Sequence, residues 1–421
     1  MTRMKVLISG GGIAGNALAF WLGKLGHYVT IVERFPSLRT TGLQVDLHGH
    51  GIEALKRMGL EQAFRSKSAP EQGFQVVNSS GKRQALFPAN RSGKGLQSFT
   101  TDWEIMRGDL CRLLYAHRTE DRTRYVFGTS IESFKEMDDG IEVRLLSGET
   151  EKYDLLVGAD GVGSKTRKMM LGSNTDDGFV PLKDVYIAYF TIPRPIKEGE
   201  EYLATAYVAP GRRAMMLRRH RPDQIQVYLM CTNDSERLKN ARRGDTKEER
   251  AALTGIFQGA GWETGEAIEA MNKTDDFYLE RMGLVKLDSW SRGRVTLLGD
   301  AAYCPSANTG MGTTSAIVGA YVLAGEIGRH CKDGVDIKDG LTAALKAYEQ
   351  RFRPFMDQVQ KGVSEDSGIW NKLMPTTALG ISIMNFVVWI IAFMRLNVIG
   401  EWLLRENVKW DLPEYKEILR K

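Results

Sequence analysis

Apolar residues in this chain fall into runs of two kinds, and the alternation between them outlines the architecture. The first kind is short and unbroken. "MKVLIS" at 4–9, "HYVTIVER" at 27–34 and "VTLL" at 295–298 have the length of strands buried on both faces of a parallel sheet. "GGGIAG" (10–15) follows the first run, and "NALAFWLGKLG" (16–26) then has helical spacing. Strand, glycine-rich turn, helix and strand together form a βαβ unit. The second kind is punctuated by Pro, Gly and charge. "VYIAYFTIP", "YLATAYVAP", "RRAMMLRR" and "QIQVYLMCT" between 176 and 235, with a similar pattern from 75 to 105, predict an antiparallel sheet. Charged helical segments fill 236–273. The outer pieces are expected to form one nucleotide-binding domain (1–75, 100–175 and 280–340), with a sheet domain (76–99 and 176–279) inserted into it. Residues 341–421 form a C-terminal helical region, in which 341–365 has the spacing of a long amphipathic helix.

"LGISIMNFVVWIIAFM" (379–394) is nearly apolar all round but only 16 residues long, with Ser382 and Asn385 inside it. A membrane span needs about twenty. The segment is therefore expected to be a buried helix covering the other domains, with peripheral membrane contact as the lesser alternative. The N-terminus has the outline of a signal peptide, yet a strand, glycines and a helix explain the same residues, so no targeting segment is expected.

A chain of 421 residues with 43% hydrophobic and 26% charged content has ordinary globular composition. Its net charge of +5 is not gathered into basic tracts interleaved with aromatics, which argues against nucleic acid as a partner. Cys111, Cys231, Cys304 and Cys331 are widely spaced without a CxxC pair, which fits reduced thiols and a cytoplasmic protein. The six histidines have no ligand spacing, and no metal is expected.

Three motifs carry the chemistry. Gly10-x-Gly12-x-x-Gly15 lies between strand and helix, where Gly10 permits the turn, Gly12 lets a pyrophosphate approach the helix N-terminus, and Gly15 lets helix and strand pack closely. Glu33 closes the second strand, where a carboxylate accepts hydrogen bonds from a ribose. The second motif, "YDLLVGADGVGSKTRKMML" (153–171), ends a strand on Asp160-Gly161 and continues through Ser164 and Arg167. Taken alone, Asp-Gly after a strand is a turn. In the third, Asp300 follows "VTLL", and a loop containing Pro305 leads to Gly310, Met311 and Gly312 just before a helix near Thr313. Main-chain N–H groups there, with the helix dipole behind them, favour negative charge.

In this order and spacing the three motifs resemble the FAD-dependent aromatic hydroxylases, the class A flavoprotein monooxygenases typified by p-hydroxybenzoate hydroxylase, over residues 4–330. The resemblance implies an α/β fold: a Rossmann-like FAD-binding domain of the GR2 type, an inserted antiparallel-sheet substrate domain, and C-terminal helices. It implies FAD contacts at Gly10, Gly12, Ile13, Ala14, Gly15, Glu33 and Arg34, at Asp160, Gly161 and Arg167, and at Asp300, Pro305, Gly310, Met311 and Gly312. "MRGDLCRLL" (106–114) matches the family segment whose arginine, here Arg107, approaches the FAD phosphate and ribityl region. "LRTTGLQVDLHGHG" (38–51) matches the loop beside the isoalloxazine, making Arg39, Gln44 and Asp46 candidate flavin-edge contacts or plain solvent-facing polar residues. Tyr303 departs from the family's usual "GDAAH", as does Asn308-Thr309 in the loop.

The implied activity is NAD(P)H- and FAD-dependent insertion of one atom of O2 through a flavin C4a-hydroperoxide. Hydroxylation and Baeyer–Villiger insertion both remain open. The cofactor carries the hard step, so no catalytic residue is assigned outright, and Arg39, Gln44, Met215 and Tyr228 are the candidates. Met215, Met216, Tyr228 and Met230 either line the substrate floor or form plain core. Arg212, Arg213, Arg218, Arg219 and Arg221 either attract an NADPH phosphate or sit on a solvated strand edge. The C-terminal helix and the "GDAAYCPS" form look similar to tetracycline-inactivating and fungal secondary-metabolite monooxygenases, which implies a fused or prenylated aromatic, polyketide-like substrate. The competing readings are a membrane-associated epoxidase or reductase of the same superfamily and a non-catalytic flavin-binding escort.

Overall fold

A computed structural model describes residues 3–39, 42–89, 102–172, 175–242, 244–363, 374–394 and 408–419. The three unbroken apolar runs pair as expected into one sheet. Its order is Ser291–Arg292, Val295–Leu297, Leu155–Gly158, Lys5–Ser9, Tyr28–Glu33, Thr123–Phe127. All neighbours are parallel except the first pair. Leu7, Ile8, Leu156 and Val157 are fully buried, which is why these strands read as continuous rather than alternating.

Two helices, Ile13–Lys24 and Gly312–His330, pack against each other over this sheet. The second is buried from Thr314 to Gly328, and its glycines mark where neighbours touch its backbone. A Cβ on Gly319 would lie 2.0 Å from the Tyr303 hydroxyl, and one on Gly325 would lie 2.2 Å from the Tyr415 ring. Tyr415 belongs to the tail at 408–419, which straps the helix from outside. Its hydroxyl donates to Glu326 Oε1 at 2.7 Å, while Arg57 Nη1 and the Tyr321 hydroxyl both donate to Pro413 O. The long helix expected at 341–365 spans Ile337–Gln360.

The second sheet has seven strands in the order Tyr278–Val285, Phe179–Pro193, Gln224–Thr232, Arg213–Arg221, Leu203–Ala209, Gly73–Val77, Arg83–Pro88. It is antiparallel except between Leu203–Ala209 and Gly73–Val77. Alternation sorts its residues between two faces. Ala188, Phe190, Met215 and Val227 pack with the helices Thr246–Phe257 and Thr264–Lys273 in a second core. Ile187, Tyr189, Tyr228 and Met230 face the other way, into a cavity.

One expectation is corrected. The apolar segment near the C-terminus forms the helix Ala378–Phe393, but it is not buried. It rests on the strands Arg83–Pro88 and Leu203–Ala209 and exposes Leu379 (72%), Phe386 (60%) and Phe393 (74%), with only Asn385 enclosed. A sequence apolar all round has no preferred face, so it does not report how many sides find a partner. No described helix is long and apolar enough to cross a membrane. Parts of the expected sheet domain (90–99) and C-terminal region (364–373, 395–407 and 420–421) lie outside the described residues.

The tight seat of Tyr415 on Gly325 predicts that Gly325→Ala displaces the strap, at a cost of about 1–3 kcal/mol. The midpoint of chemical unfolding should fall accordingly. An unchanged midpoint would mean that the tail does not hold the helix.

Candidate functional site

The glycine loop is a cradle shaped by what a side chain would hit. Gly10 has φ +109°, and a Cβ there would stand 2.5 Å from Ala159 O. A Cβ on Gly15 would stand 2.1 Å from Gly10 O and 3.2 Å from Ile8 Cγ2. Both positions therefore require glycine for the helix to begin flush against the sheet. The buried Glu33 carboxylate accepts from Gly11 N at 2.8 Å and from Phe35 N at 3.1 Å. Asn16, which sequence reasoning missed, donates its amide to Gly11 O and Gly12 O and accepts from the Tyr125 hydroxyl. Its signal was a lone amide at the start of an Ala- and Leu-rich buried helix.

The other two motifs meet the loop from adjacent strands. The Asp160 carboxylate accepts from Ser164 Oγ, Thr166 N and Thr166 Oγ1, and Ser164 in turn caps the helix Lys165–Leu171. Asp300 opens a short helix after Gly299 (φ +65°). Burial raises its carboxyl pKa against the opposing pull of Arg107. The loop at 305–312 ends on Gly310, again left-handed (φ +67°). His48 N donates to Thr314 Oγ1 at 2.9 Å, fixing the segment after residue 42 to the start of the long helix. Of Asn308's side chain nothing is described.

These pieces border one cavity of about 1410 Å³, larger than the roughly 300–1,000 Å³ of a drug-sized site. Gly10, Gly12, Ile13, Ala14, Glu33, Arg34, Arg39, Gln44, Asp46, Arg107, Asp160, Gly161, Asp300, Pro305, Gly310, Gly312 and Tyr228 line it. Gly15, Arg167, Met215 and Met311 do not. Arg167 is fully buried and ties the two Asp-bearing loops together through Val162 O, Ala301 O and Asp177. Met215 and Met311 pack in the sheet-domain and nucleotide-domain cores.

Five polar atoms on the walls are buried with no hydrogen-bond partner among the described residues: Gln44 Oε1, Asp46 Oδ1, Arg107 Nη1, Arg212 Nε and Ser306 Oγ. Buried polar atoms are seldom left so, and this set waits for a polar ligand. Arg34, Arg39 and Arg107 gather on the same side, and burial followed by the Arg107 charge lowers the Arg39 pKa. Cations crowded in this way favour a phosphate-bearing guest.

Opposite the cradle, the seven-stranded sheet presents a row of tyrosines in cross-strand register: Tyr278, Tyr189 and Tyr228. Tyr189 stacks on Tyr278 at 6.4 Å and meets Tyr228 edge-on at 5.5 Å. Arg39 stands 5.7 Å from the Tyr278 ring centre, so the cation cluster and the tyrosine row adjoin. Burial pushes the Tyr228 phenol up to about 12. Behind the row, Arg218 makes two 2.8 Å bonds to Glu71 and one to Glu104, which also accepts from Gln44 Nε2. This buried set connects the sheet to the short antiparallel strand pair Gln44–Asp46 and Glu104–Met106. The arginine run thus has mostly internal partners: Arg213 bonds Ile256 O, Arg219 bonds Glu200 and Arg221 bonds Asp223. Only Arg212 of the five lines the cavity.

A family model described as "FAD binding domain" matches residues 3–362. FAD-dependent monooxygenase asL4 of Sarocladium schorii is 53% identical over 431 residues, covering 100% of each chain. Flavin-dependent monooxygenase eupH of Phoma sp is 41% identical over 370 residues, covering 85% of each. Among solved structures, the tetracycline destructase Tet(51) superposes with a TM-score of 0.76 at 27% identity, over 99% of this chain and 100% of that one. FAD suits the residues present: a glycine cradle for a pyrophosphate, cations beside it, and orphaned polar atoms further along the same cavity.

The raised pKa of Asp300 sets the sign of a test. In the apoprotein its ionised form costs stability above the folded pKa, and that cost fades as pH falls toward the ordinary value of 3.8. Asp300→Asn should therefore raise the apoprotein's thermal midpoint at neutral pH, with the gap closing on acidification. It should also weaken FAD binding by about tenfold or more, through loss of a charged acceptor. Fluorescence titration of FAD and melts from pH 4 to 8 check both arms.

Proposed function

The chain belongs to the FAD binding domain family and is an FAD-dependent monooxygenase, and from that premise we propose that it uses NADPH or NADH and O2 to insert one oxygen atom into a fused aromatic or polycyclic substrate. One observation carries the reading: a single cavity runs from the glycine cradle to an apolar, tyrosine-lined sheet, so a dinucleotide and a ring system can lie against each other within it. The likeness to a tetracycline destructase supports a multi-ring substrate.

In this reading Gly11 and Gly12, with Glu33, hold the adenosine and pyrophosphate end, Arg107 and Asp300 hold the chain between, and Arg39, Gln44 and Asp46 meet the ring edge. The bound flavin supplies hydride acceptance from the nicotinamide and activation of O2. The protein's own part is placement and dryness. Gly310 and Gly312 border the cavity at the start of the long helix, where its dipole favours negative charge, although Gly310 N is spent on Ala307 O and Met311 N on Thr309 Oγ1. Ile187, Met230 and Met282 shield the other wall from water. Tyr228, with its pKa at about 12, stays protonated at neutral pH. Its hydroxyl donates to Gln226 Oε1 at 3.3 Å, so it contributes a neutral polar edge to the wall rather than a base. The four cysteines are buried and unpaired, which supports a cytoplasmic site of action.

The test is the visible spectrum of the purified protein, followed by stopped-flow NADPH oxidation with and without a panel of polycyclic phenols. Yellow protein whose reduction accelerates with a panel member is the expected result. NADPH oxidation indifferent to every aromatic ligand would overturn the reading.

A further inference from the structure

Arg212 differs from every other arginine of its run. It occupies the turn between the strands Leu203–Ala209 and Arg213–Arg221 with φ +55°, a left-handed conformation that costs a side-chain-bearing residue energy. Its half-buried side chain lines the cavity, and its Nε is enclosed with no hydrogen-bond partner among the described residues. Of the carboxylates bordering the cavity in the same sheet domain, Glu249 is taken by Arg281 Nη1 at 2.8 Å and by Gly244 N, Glu280 accepts from the Tyr189 hydroxyl at 3.3 Å, and neither these two nor Asp276 forms an ion pair with Arg212. A cation held in a strained turn, facing a cavity and lacking a counter-ion among the described residues, has the features of a ligand anchor.

Its position supplies a length. Arg212 O accepts from Thr232 N, so the turn lies beside Thr232 on the strand that also carries Tyr228 and Met230. Four residues of strand separate Thr232 from Tyr228, about 13 Å at 3.3 Å per residue. Between them, Met230 and the facing Ile187 make an apolar floor.

We propose that Arg212 anchors an anionic oxygen of the substrate (a carboxylate, enolate or phenolate) at the end of the ring system remote from the tyrosine row. The proposal rests on the monooxygenase reading and narrows its substrate class to extended polycyclic acids. Arg212 acts here as a specificity residue, and the oxygen-transfer step takes place elsewhere in the cavity.

Equilibrium dialysis of the FAD-loaded protein against anthraquinone-2-carboxylate and anthraquinone-2-carboxamide, two probes of the same shape, tests it. The wild type should bind the carboxylate about tenfold or more tightly than the amide, as for a hydrogen bond to a charged group. Arg212→Gln should bring the two within about twofold, and Arg212→Lys should keep part of the preference. Arg212→Gly guards against misfolding, because glycine adopts φ +55° without strain. It should lose the preference while its thermal midpoint rises. A wild type that binds both probes equally, or neither, overturns the proposal, as does a preference that survives in Arg212→Gly. FAD content should match wild type throughout. A holoprotein that couples NADPH oxidation to no aromatic ligand fails the functional reading alone, since dialysis compares the probes without turnover.

Discussion

The contact on which the rest depends is the approach of the glycine loop to the backbone around it. Gly15 faces Gly10 O and Gly10 faces Ala159 O at distances that leave no room for a Cβ. That closeness lets the helix Ile13–Lys24 start directly above the first strand. Its N-terminus then points at the same space reached by Asp160 and Asp300 from adjacent strands. Glu33 and Asn16 pin the loop from either side through its amides and carbonyls. An anion site at a helix start needs this much backbone order, because the donors belong to the main chain and cannot rotate into place.

The second requirement is that the tyrosine wall hold a fixed position opposite the cradle. The buried set of Arg218, Glu71, Glu104 and Gln44 does this at the back of the cavity. Buried ion pairs add little net stability, since desolvation offsets their attraction, but removing one member strands its partners at about 3–5 kcal/mol. Such a network therefore favours one registration of the sheet against the strand pair Gln44–Asp46 and Glu104–Met106 over neighbouring ones. It also accounts for one arginine of the arginine-rich run, Arg218, which is turned inward.

The C-terminal region shows two uses of apolar sequence. The tail around Tyr415 fits a groove made by missing side chains at Gly325, and its polar ends bond Glu326 and Arg57. The helix Ala378–Phe393 meets the sheet edge along one side only and leaves an aromatic row, Phe386, Trp389 and Phe393, stacked on its outer face.

Sequence alone determined the nucleotide-binding core. A strand that ends in glycines, a helix and an acid at the end of the next strand are local patterns with few physical alternatives. The Asp-Gly and Gly-Asp motifs, combined with the first, added enough for the family resemblance. The inserted antiparallel sheet was also legible, because two-residue alternation is written along each strand. Which residues face the cavity was not. Arg167 and Met215 look the same in sequence as residues that line it, yet one became a buried strut and the other core. Nor could spacing show that Arg218 is enclosed by carboxylates more than a hundred residues away while Arg212 leaves its Nε without a partner among the described residues. Local sequence fixes backbone direction and face alternation. Burial, counter-ion choice and the orphaned donors that mark a ligand arise only when distant strands are brought together by packing.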